Sequence, residues 1–436
     1  MTDKIIDAIK KHNLIFVSAQ PDSIYFHWQV ELYLYQFAKH GPEVASRCYA
    51  LLGHRGNQPS PYATELAEKA KKLGANVICY KDTRNLSVPN FYIPSIRPHL
   101  LKQFFAEYPG LGANVFYHDS DIFLVRLPRF DLLLGESDPI SYVSDTISYI
   151  GYDYLKGCAD RYQAKYPALP ENDLINVMCD VVGISAETVK ANQAGSGGAQ
   201  YLLKNVDSAF WAEAETACQA LYSATATYER THTIEHGGLQ IWTADMWAVL
   251  WLVWKRGFTT QVHKELDFSW ATYSVTDYYK SPIFHLAGVT GDNCKGKFYK
   301  GAYTNKNVFV EYLKNRTLFD DIDKNSATYE YVKLIKEYAE GLPLLPAPED
   351  TKKVTRFLLD TKDAWSGVYA KDAVKGLWRS ADGRFIIFSN GSGGWTLTAS
   401  QYEAEITPTM GGFASCSAEN PYEGAWNQAC TIKVLE

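Results

Sequence analysis

Two aspartates one residue apart interrupt an otherwise apolar run, FYHDSDIFLVRLP, at residues 116–128. Burying two carboxylates side by side is costly, so the pattern predicts a positive charge between Asp119 and Asp121. Residues two apart in an extended chain point to the same side, which would present both carboxylates together and turn Ser120 away. Paired oxygen ligands suit Mn²⁺ or Mg²⁺, particularly where a phosphate-bearing substrate completes the coordination. The alternative is that both side chains cap a turn in water.

A histidine and a group of lysines follow a short apolar pair in IFHLAGVTGDNCKGKFYKGAY, residues 283–303. His285 and Gly288 stand near its start, and Lys295, Lys297 and Lys300 come later. An imidazole beside ammonium groups suits a site that holds Mn²⁺ and phosphate. Taken alone, the segment equally describes a core histidine held by the backbone and a solvated lysine loop.

A third acidic candidate, Asp245, stands at the start of a strongly apolar helix within EHGGLQIWTADMWAVLWLVWKRGF, residues 235–258. The helix dipole favours a carboxylate there, although Asp245 or Thr243 could serve only as a cap. Gly237 and Gly238 just before it would let the backbone approach a ligand closely. The apolar part is shorter than the ~18 residues of a membrane span, so we predict a buried helix.

The elements that must position these residues alternate along the first part of the chain. Buried strands and amphipathic helices follow one another in the order β-α-β-α-β-α-β, which predicts a mostly parallel sheet flanked by helices, an α/β fold. Ligands of such sheets bind beyond the carboxyl ends of the strands, and Asp119 and Asp121 fall at such an end. The strands are NLIFVSAQ, SRCYALLG, ANVICYKD and ANVFYHDSD, and the helices between them are FHWQVELYLYQFAKHG, PYATELAEKAKKLG and SIRPHLLKQFFAEYP.

The sequence pattern changes after a last amphipathic helix predicted at residues 327–340. The stretch GLPLLPAPEDTKK predicts a Pro-rich linker over residues 341–353. Beyond it, short strand patterns separated by Gly, Ser and Asn predict a small all-β accessory module at residues 354–436. The catalytic part of the chain would then be residues 1–340.

Composition and charge limit the classes of function. The chain is 46% hydrophobic and 21% charged, which is typical of a soluble globular protein, and its net charge of −6 offers no general basic field for a polyanion. Its 8 cysteines form no CxxC pair, which argues against zinc and a dense disulfide framework. Without a signal-like start or a membrane-length apolar run, we expect a cytoplasmic protein with no membrane span. Aromatic residues reach 14%, an excess that suits stacking on sugars or bases as well as core packing.

The alternation ending in VFYHDSDIF resembles the GT-A class of nucleotide-sugar-dependent glycosyltransferases, in which a DxD at this place binds the metal and the sugar-nucleotide diphosphate. Its layout is loosely similar to the plant hydroxyproline O-arabinosyltransferase and serine galactosyltransferase group. The shared features are Trp28 and Gln29 early in the first helix, Arg97 and Pro98 opening the helix before the DxD strand, and a later Trp-acidic-Met helix. The resemblance implies a GT-A, or Rossmann-like, fold over roughly the first two thirds of the chain.

This resemblance implies roles for particular residues. The acidic pair would bind the metal, and in retaining GT-A enzymes a His-x-x-Gly followed by lysine supplies a third metal ligand and a diphosphate contact. His285 would be that ligand, with Gly288 as the glycine of the motif. Lys295 or Lys297 would meet the diphosphate, although they lie farther from the histidine than in that pattern. Asp245 would act as a general base in an inverting enzyme, or would steer the acceptor and donor sugar in others.

Three further residues are candidate ligand contacts. Gln20 ends the first strand, where such sheets bind the nucleoside, and Arg97 could reach phosphate. The glycine turn in NQAGSGGAQYLLKN lacks the Gly-Lys-Ser/Thr of a phosphate-binding Walker loop and does not follow the first strand, as a dinucleotide fingerprint must. We expect it to lead into a strand whose edge floors the acceptor or donor-sugar pocket, with Gln200 as a polar contact. A purely structural turn is the alternative.

These features predict a glycosyltransferase of class EC 2.4, dependent on Mn²⁺ or Mg²⁺, that takes a sugar from a nucleotide-diphosphate donor, by preference a UDP-sugar. The pattern leans toward retention of anomeric configuration. The acceptor could be a glycan, a protein or a hydroxymethylated nucleic-acid base. One alternative is a carbohydrate-binding protein of the same fold without turnover. Another is a sugar-nucleotide nucleotidyltransferase, which would need a Gly-rich, basic signature after the first strand that SAQPDSIYFHWQ lacks.

Overall fold

The computed structural model describes residues 2–135 and 139–342, and beyond these the backbone of further strands between Arg356 and Val434. The chain divides into two compact units. The first consists of Met1–Pro59, Leu66–Ala302 and Asp321–Leu334, and the second of Ser60–Glu65, Tyr303–Asp320 and Ile335–Glu436. The candidate site belongs to the first unit.

Strands and helices alternate through the first part of the chain. The strands before residue 300 are β1 (Ile15–Pro21), β2 (Cys48–His54), β3 (Asn76–Lys81), β4 (Asn114–His118), β5 (Ile122–Leu124), β6 (Ser141–Asp145), β7 (Gly197–Lys204), β8 (Thr260–Val262), β9 (Phe268–Trp270) and β10 (Ile283–His285). The helices are α1 (Thr2–Lys11), α2 (Ile24–Ala38), α3 (Pro42–Ala45), α4 (Pro61–Lys72), α5 (Ile96–Glu107), α6 (Phe130–Leu133), α7 (Ile147–Ile150), α8 (Tyr152–Lys165), α9 (Asp173–Val182), α10 (Ala186–Ala191), α11 (Ser208–Thr231), α12 (Ala244–Lys255), α13 (Val275–Lys280), α14 (Val308–Lys314) and α15 (Ala327–Gly341).

The larger sheet has seven strands in the order β3-β2-β1-β4-β7-β6-β8. Strands β3, β2, β1 and β4 are parallel neighbours, whereas β7 runs antiparallel to both β4 and β6. Strands β1, β2 and β3 follow one another toward one edge of the sheet, and the next strand, β4, lies on the other side of β1. The junction of β1 and β4 is therefore the switch point at which open α/β sheets bind their ligands.

Side chains of β1 alternate between two helical layers. Val17 belongs to the core that includes Leu101 of α5 and Trp211 of α11. Its neighbour Phe16 faces the other layer, where its ring packs edge-on against Phe37 of α2 at a centroid distance of 5.9 Å. Because both faces are covered, the strand reads as a continuous apolar run, as its sequence predicts. The mixed α/β fold with a mainly parallel, helix-flanked sheet is confirmed.

The segment between β6 and β7 differs from the sequence expectation. The pattern of residues 141–303 predicts shorter strands mixed with helices near residues 211–225 and after Trp242, but the segment between β6 and β7 folds as the helices α7, α8, α9 and α10. Strand β7 is an interior strand between β4 and β6 and so has no free edge, but its residues Ala199 and Tyr201 line a cavity, as expected of this strand. Most of these helices are short, and their apolar positions are divided among several packing partners, which weakens the periodic signal in the sequence.

Helix α12 is buried along nearly its whole length, as its sequence predicts. Every residue from Ala244 to Trp254 is buried, and the indole nitrogen of Trp247 donates to the Ile150 carbonyl at 3.0 Å. A helix that is apolar all round is typical of the core of a large domain. Within the part of the chain that the structure describes, no helix is both long and apolar enough to cross a membrane.

A buried ion cluster at the carboxyl end of β3 anchors the start of α5. Asp82 is 6% exposed and accepts from Arg84 Nε at 2.9 Å and from Arg84 Nη2 at 3.0 Å. Arg55 Nη2 lies 2.8 Å from the same carboxylate. Arg84 Nη1 in turn donates to Ser95 Oγ at 2.8 Å, one residue before α5. Burial alone would raise the pKa of Asp82, but Arg84 and Arg55 more than offset it and lower that pKa to about 2.

Replacing Asp82 with Asn is expected to lower the free energy of unfolding by about 2 kcal/mol at pH 7. The folded-state pKa is depressed, so the carboxylate contributes this stability above its ordinary pKa near 4 and loses it as the pH falls toward 2. Urea unfolding measures the difference in free energy of unfolding between wild type and Asp82→Asn. This difference should be smaller by about 1 kcal/mol at pH 3 than at pH 7. Asp180→Asn, at an exposed position, is the matched control. An identical difference at both pH values would contradict the assignment.

The second unit contains a closed sheet of antiparallel strands. Its eight described strands pair in chain order, and the first pairs with the last. They are β11 (Arg356–Asp360), β12 (Gly367–Lys371), β13 (Leu377–Ser380), β14 (Phe385–Ser389), β15 (Trp395–Ala399), β16 (Tyr402–Pro408), β17 (Phe413–Asn420) and β18 (Gly424–Val434). The predicted linker at residues 341–353 lies almost wholly outside the described residues. The boundaries 1–340 and 354–436 stay predictions.

Candidate active site

A cavity of about 320 Å³ opens at the switch point between β1 and β4. Its walls come from the ends of β1 and β4, the starts of α2, α5 and α12, strand β7 and the end of β10. The side chains that line it include Gln20, Tyr25, Phe26, Arg97, Tyr117, Asp119, Ser120, Asp121, Tyr149, Tyr201, Trp242, Asp245, Met246, Trp270, His285 and Lys300. The cavity lies at a carboxyl end of the sheet, where the sequence predicts that a ligand binds.

The acidic pair lies in a turn that directly follows β4. The strand ends at His118, and residues 119–121 turn before β5 begins. Asp121 is 5% exposed, and Ser120 also lines the cavity, so the expectation of an extended segment with Ser120 facing away is wrong. The turn replaces the strand because β5 leaves the large sheet and joins a separate three-stranded sheet, β5-β10-β9.

That small sheet brings His285 to the acidic pair. Strands β5 and β10 are antiparallel, with His285 opposite Ile122, the residue after Asp121. The Leu286 N–H donates to the Asp121 carbonyl at 2.9 Å and continues the pairing. His285 Nε2 lies 3.5 Å from Asp119 Oδ2 and 3.4 Å from Asp121 Oδ1. The predicted trio therefore converges in space.

The trio has the donor set of a divalent-metal site. Ligand atoms of Asp119, Asp121 and His285 all lie within 4.8 Å of one another. Neighbouring ligands in an octahedral Mg²⁺ shell are about 3 Å apart, so the observed separations of 3.4 and 3.5 Å need only a few tenths of an ångström of adjustment. Two carboxylates and one imidazole suit Mg²⁺ or Mn²⁺ and leave coordination positions for substrate oxygens. The group can hold a divalent ion.

The orientation of His285 is set by a neighbour in β7. Gln200 is fully buried, and its side-chain amide lies 3.3 Å from His285 Nδ1 and is hydrogen-bonded to Ser144 Oγ at 2.7 Å. The indole of Trp270 stacks on the imidazole with centroids 6.2 Å apart and planes 14° apart. A metal-binding histidine is usually fixed through its second nitrogen in this way. Gln200 therefore contacts a metal-site residue and does not line the cavity.

A bulge in β7 aims Gln200 at the site. The pairing of β6 with β7 shifts register between Val143 and Asp145, and Ala199 has a positive φ of 68° within the strand. A left-handed conformation is unfavourable for a residue with a Cβ, and such strain is concentrated at functional sites. Glycine is required two residues earlier, since a Cβ at Gly197 would lie 2.2 Å from the Ser144 carbonyl oxygen. The glycine-rich segment therefore forms a β-bulge that depends on the residue types at these positions.

Replacing Ala199 with Val is expected to lower the free energy of unfolding by about 1–2 kcal/mol, because a β-branched side chain tolerates a positive φ poorly. Ala199→Gly, which adopts that φ without strain, should leave stability unchanged or raise it by up to about 1 kcal/mol. Urea unfolding of the two variants measures the difference directly. A Val variant as stable as the Gly variant would mean that Ala199 is not strained in solution.

Two protein cations flank the acidic pair. Arg97 Nη2 lies 2.9 Å from Asp119 Oδ1, and the Lys300 ammonium contacts Asp121 Oδ2. Burial acts to raise the pKa of Asp121, but Lys300 and His285 more than offset it and hold that pKa well below its ordinary value. Burial lowers the pKa of the neighbouring His118 to about 4, so His118 is neutral at pH 7 and supplies no positive charge. The positive charge that the sequence required is supplied here by Arg97 and Lys300.

Asp245 is held by polar partners on more than one side. Arg97 Nη1 lies 2.6 Å from Asp245 Oδ2, and the Tyr92 hydroxyl lies 2.6 Å from Asp245 Oδ1. The same hydroxyl accepts from the Asp245 N–H at 3.2 Å and lies 2.6 Å from the Trp242 carbonyl oxygen. A carboxylate with these partners is suited to fixing Arg97 in place. Its use as a general base would require breaking a 2.6 Å ion pair.

The other predicted contacts divide into those near the site and those away from it. Gln20 lines the cavity, although its amide nitrogen donates to the Leu51 carbonyl at 2.9 Å. Gly288 has a φ of 89° and follows β10, but neither it nor Lys295 or Lys297 lines the cavity. Lys297 Nζ instead donates to the Asn293 carbonyl at 3.3 Å. Sequence reasoning noticed Lys300 but did not select it, because nothing in the sequence ranks three lysines of one loop.

Comparison with solved structures finds nine matching chains. No family model and no curated protein matches the chain. One similar solved structure is titled as the apo form of WbbM, a bifunctional glycosyltransferase. It is 11% identical with a TM-score of 0.39, and the match covers 78% of this chain and 51% of that one. The chain thus spans about half the length of that protein, and this likeness is too distant to assign a function.

Proposed function

We propose that this protein is a metal-dependent glycosyltransferase that moves a sugar from a nucleotide-diphosphate donor to a hydroxyl acceptor. The observation that carries the proposal is the convergence of Asp119, Asp121 and His285 within 4.8 Å at the sheet's switch point. Arg97 and Lys300 contact the same carboxylates. Acidic and basic groups so placed suit a bound cation and a bound diphosphate together.

The charge balance of the cavity supports this ligand pair. Its lining carries three carboxylates, Asp119, Asp121 and Asp245, against two permanent cations, Arg97 and Lys300. A divalent ion would turn this excess of one negative charge into an excess of one positive charge, which attracts a diphosphate. Without the ion, the two negative charges of a nucleotide-sugar diphosphate would add to a lining that is already negative. We therefore expect binding of the nucleotide to depend strongly on the metal.

The nucleoside of the donor would lie toward the carboxyl end of β1. Gln20 is the last residue but one of that strand, Tyr25 and Phe26 lie in the first turn of α2, and all three line the cavity. Tyr25 lies close enough to Lys300 and Asp121 for their charges to act on its hydroxyl. An aromatic ring and a side-chain amide are the groups that stack on a base and read its edge. UDP is the nucleotide we favour.

The carboxylates of the cavity favour a reaction with retention. Among the described residues that line it, each carboxylate already contacts a cation, so no free general base stands ready for the acceptor. We infer that the acceptor oxygen bonds to the anomeric carbon while the bond from that carbon to the diphosphate oxygen breaks. The electron pair stays on the diphosphate, which also takes the proton of the acceptor hydroxyl.

The departing diphosphate must be stabilised as it gains charge. A divalent ion bound at this site would supply that stabilisation as a Lewis acid. Lys300 would leave Asp121 and donate to a diphosphate oxygen, and Arg97 would stay fixed between Asp119 and Asp245. Preorganised donors of this kind contribute more in a cavity shielded from water than in bulk solvent.

A thermal-shift panel of nucleotide sugars, each with and without Mn²⁺, tests the proposal. A donor that binds only the folded protein raises its melting temperature, by several degrees at concentrations far above its Kd. We expect a UDP-sugar to do so only when Mn²⁺ is present. A donor identified in this way would then be tested for transfer, and for the configuration of the product by NMR. If no nucleotide sugar shifts the transition with Mn²⁺ or Mg²⁺, the proposed function is wrong.

A further inference from the structure

One side of the cavity carries aromatic rings in place of charges. Tyr149, Trp242 and Trp270, which we call the aromatic wall, all line it. The Trp242 and Tyr149 rings stack with centroids 6.4 Å apart and planes 25° apart, and Tyr149 meets Trp270 edge-on at 6.2 Å. Because Trp270 also stacks on His285, the wall begins directly beside the candidate metal ligands.

Trp242 is unusual in leaving a large apolar ring in water. It is 59% exposed, whereas the other tryptophans whose side chains the structure describes are buried or partly buried. Tyr149 stacks against the indole, yet Trp242 stays more than half exposed. Its backbone is held in place, because its carbonyl lies 2.6 Å from the Tyr92 hydroxyl that also contacts Asp245. A rigid, supported and exposed indole is suited to stacking on a ligand.

The chemistry of this side of the cavity selects a neutral ligand with hydroxyl groups. The charged side chains of the lining form the cluster around Asp119, Asp121 and Asp245, and none belongs to the aromatic wall. Tyr201 also lines the cavity and is only 2% exposed, and its buried hydroxyl has no hydrogen-bond partner among the described residues. A buried hydroxyl without a partner is costly, so a ligand that pairs with it gains affinity.

We propose that the aromatic wall is the acceptor subsite and that the acceptor is a glycan, bound through an uncharged pyranose ring. The ring would stack its C–H face on the open side of Trp242 and hydrogen-bond to Tyr201. A phosphorylated or strongly charged acceptor would find no counter-charge on this wall. The inference rests on the proposed function and adds the class of acceptor to it. It also assigns the acceptor and the nucleoside to different side chains, since the nucleoside would lie at Tyr25.

Saturation-transfer NMR on the full chain tests the acceptor subsite without donor or metal. The probes are methyl pyranosides of the common neutral hexoses and N-acetylhexosamines, and short neutral oligosaccharides. We expect ring-proton saturation for at least one probe, with affinity reduced at least about tenfold in Trp242→Ala and less in Trp242→Phe. Tyr279→Ala, which removes a side chain that is 61% exposed and lies outside the cavity lining, is the matched control and should bind like wild type.

The same variants separate this inference from the proposed function. The Mn²⁺-dependent shift in melting temperature caused by UDP should survive in Trp242→Ala, because Trp242 is not among the side chains proposed to bind the nucleotide. If UDP binds wild type but no sugar probe does, or if Trp242→Ala binds sugars as well as wild type, the acceptor subsite is wrong and the function stands. Saturation of hydroxyl-bearing peptides in place of sugars would likewise overturn it. Sugar binding without any UDP effect would instead contradict the proposed function.

Discussion

Asp119→Asn and Asp121→Asn are each expected to reduce sugar transfer by at least about 10³-fold, equivalent to about 4 kcal/mol of transition-state stabilisation. Each change removes one of the two anionic ligands of the candidate metal site and leaves a side chain of nearly the same shape. Nucleotide binding should lose its dependence on Mn²⁺ as well, since the diphosphate would face a cavity without a bound cation. Initial rates with the donor found by thermal shift, and calorimetric titration with Mn²⁺, measure the two effects.

The two variants differ in their risk of misfolding, which makes the pair informative. The Asp119 side chain is 23% exposed, and that of Asp121 is 6% exposed and contacts Lys300, so the second change leaves a partly buried ammonium without its partner. Asp292→Asn, at an exposed position of the loop after β10, is the matched control. A folded Asp119→Asn protein with near-normal Mn²⁺ affinity and rate would contradict the role of the acidic pair.

Lys300→Met is expected to move two binding constants in opposite directions. The ammonium of Lys300 competes with a metal ion for Asp121. Its removal should therefore strengthen binding of Mn²⁺ alone by about tenfold, a factor that corresponds to the interaction energy of a partly buried ion pair. Binding of UDP with Mn²⁺ should weaken, and the transfer rate should fall by about 10²-fold, because one donor to the departing diphosphate is lost. Methionine keeps most of the apolar stem, so packing changes little.

Lys297→Met is the matched control for this prediction. Lys297 lies in the same loop but contacts the Asn293 carbonyl and does not line the cavity. Comparing UDP binding by Lys300→Met and Lys297→Met therefore shows which lysine contacts the diphosphate. If Lys297→Met has the larger effect on UDP binding, the loop rearranges on binding and the assignment of Lys300 is wrong. If neither variant alters UDP binding, the diphosphate does not lie beside Asp121.

The place of the acidic pair could be predicted from sequence because only local information is needed. Alternating strands and helices specify a mainly parallel sheet, and the carboxyl end of β4 is then a ligand-binding edge. His285 is different. It reaches Asp121 through the pairing of β5 with β10, two three-residue strands far apart in sequence, and such short strands carry almost no periodic signal. Its selection depended on a family resemblance.

Other parts of the site depend on packing that a sequence does not display. The bulge at Ala199 arises where β7 pairs with both β4 and β6. An alanine gives no sign in the sequence that its φ is positive. The bridge of Arg97 between Asp119 and Asp245 joins α5 to α12, and Tyr92 completes it from outside both helices. The exposure of Trp242 also cannot be predicted from the sequence, since the residues that follow it belong to a buried apolar helix.

A divalent ion held by Asp119, Asp121 and His285 is the central element of the proposed mechanism. Crystals of the full chain grown with MnCl₂ and UDP, with diffraction recorded at the manganese absorption edge, would locate that ion. We predict an anomalous peak about 2–2.5 Å from an oxygen of each aspartate and from His285 Nε2, with the UDP diphosphate beside it and Lys300 moved from Asp121 to a phosphate oxygen. Ordered UDP with no anomalous peak at these residues, and with Lys300 still on Asp121, would contradict the account.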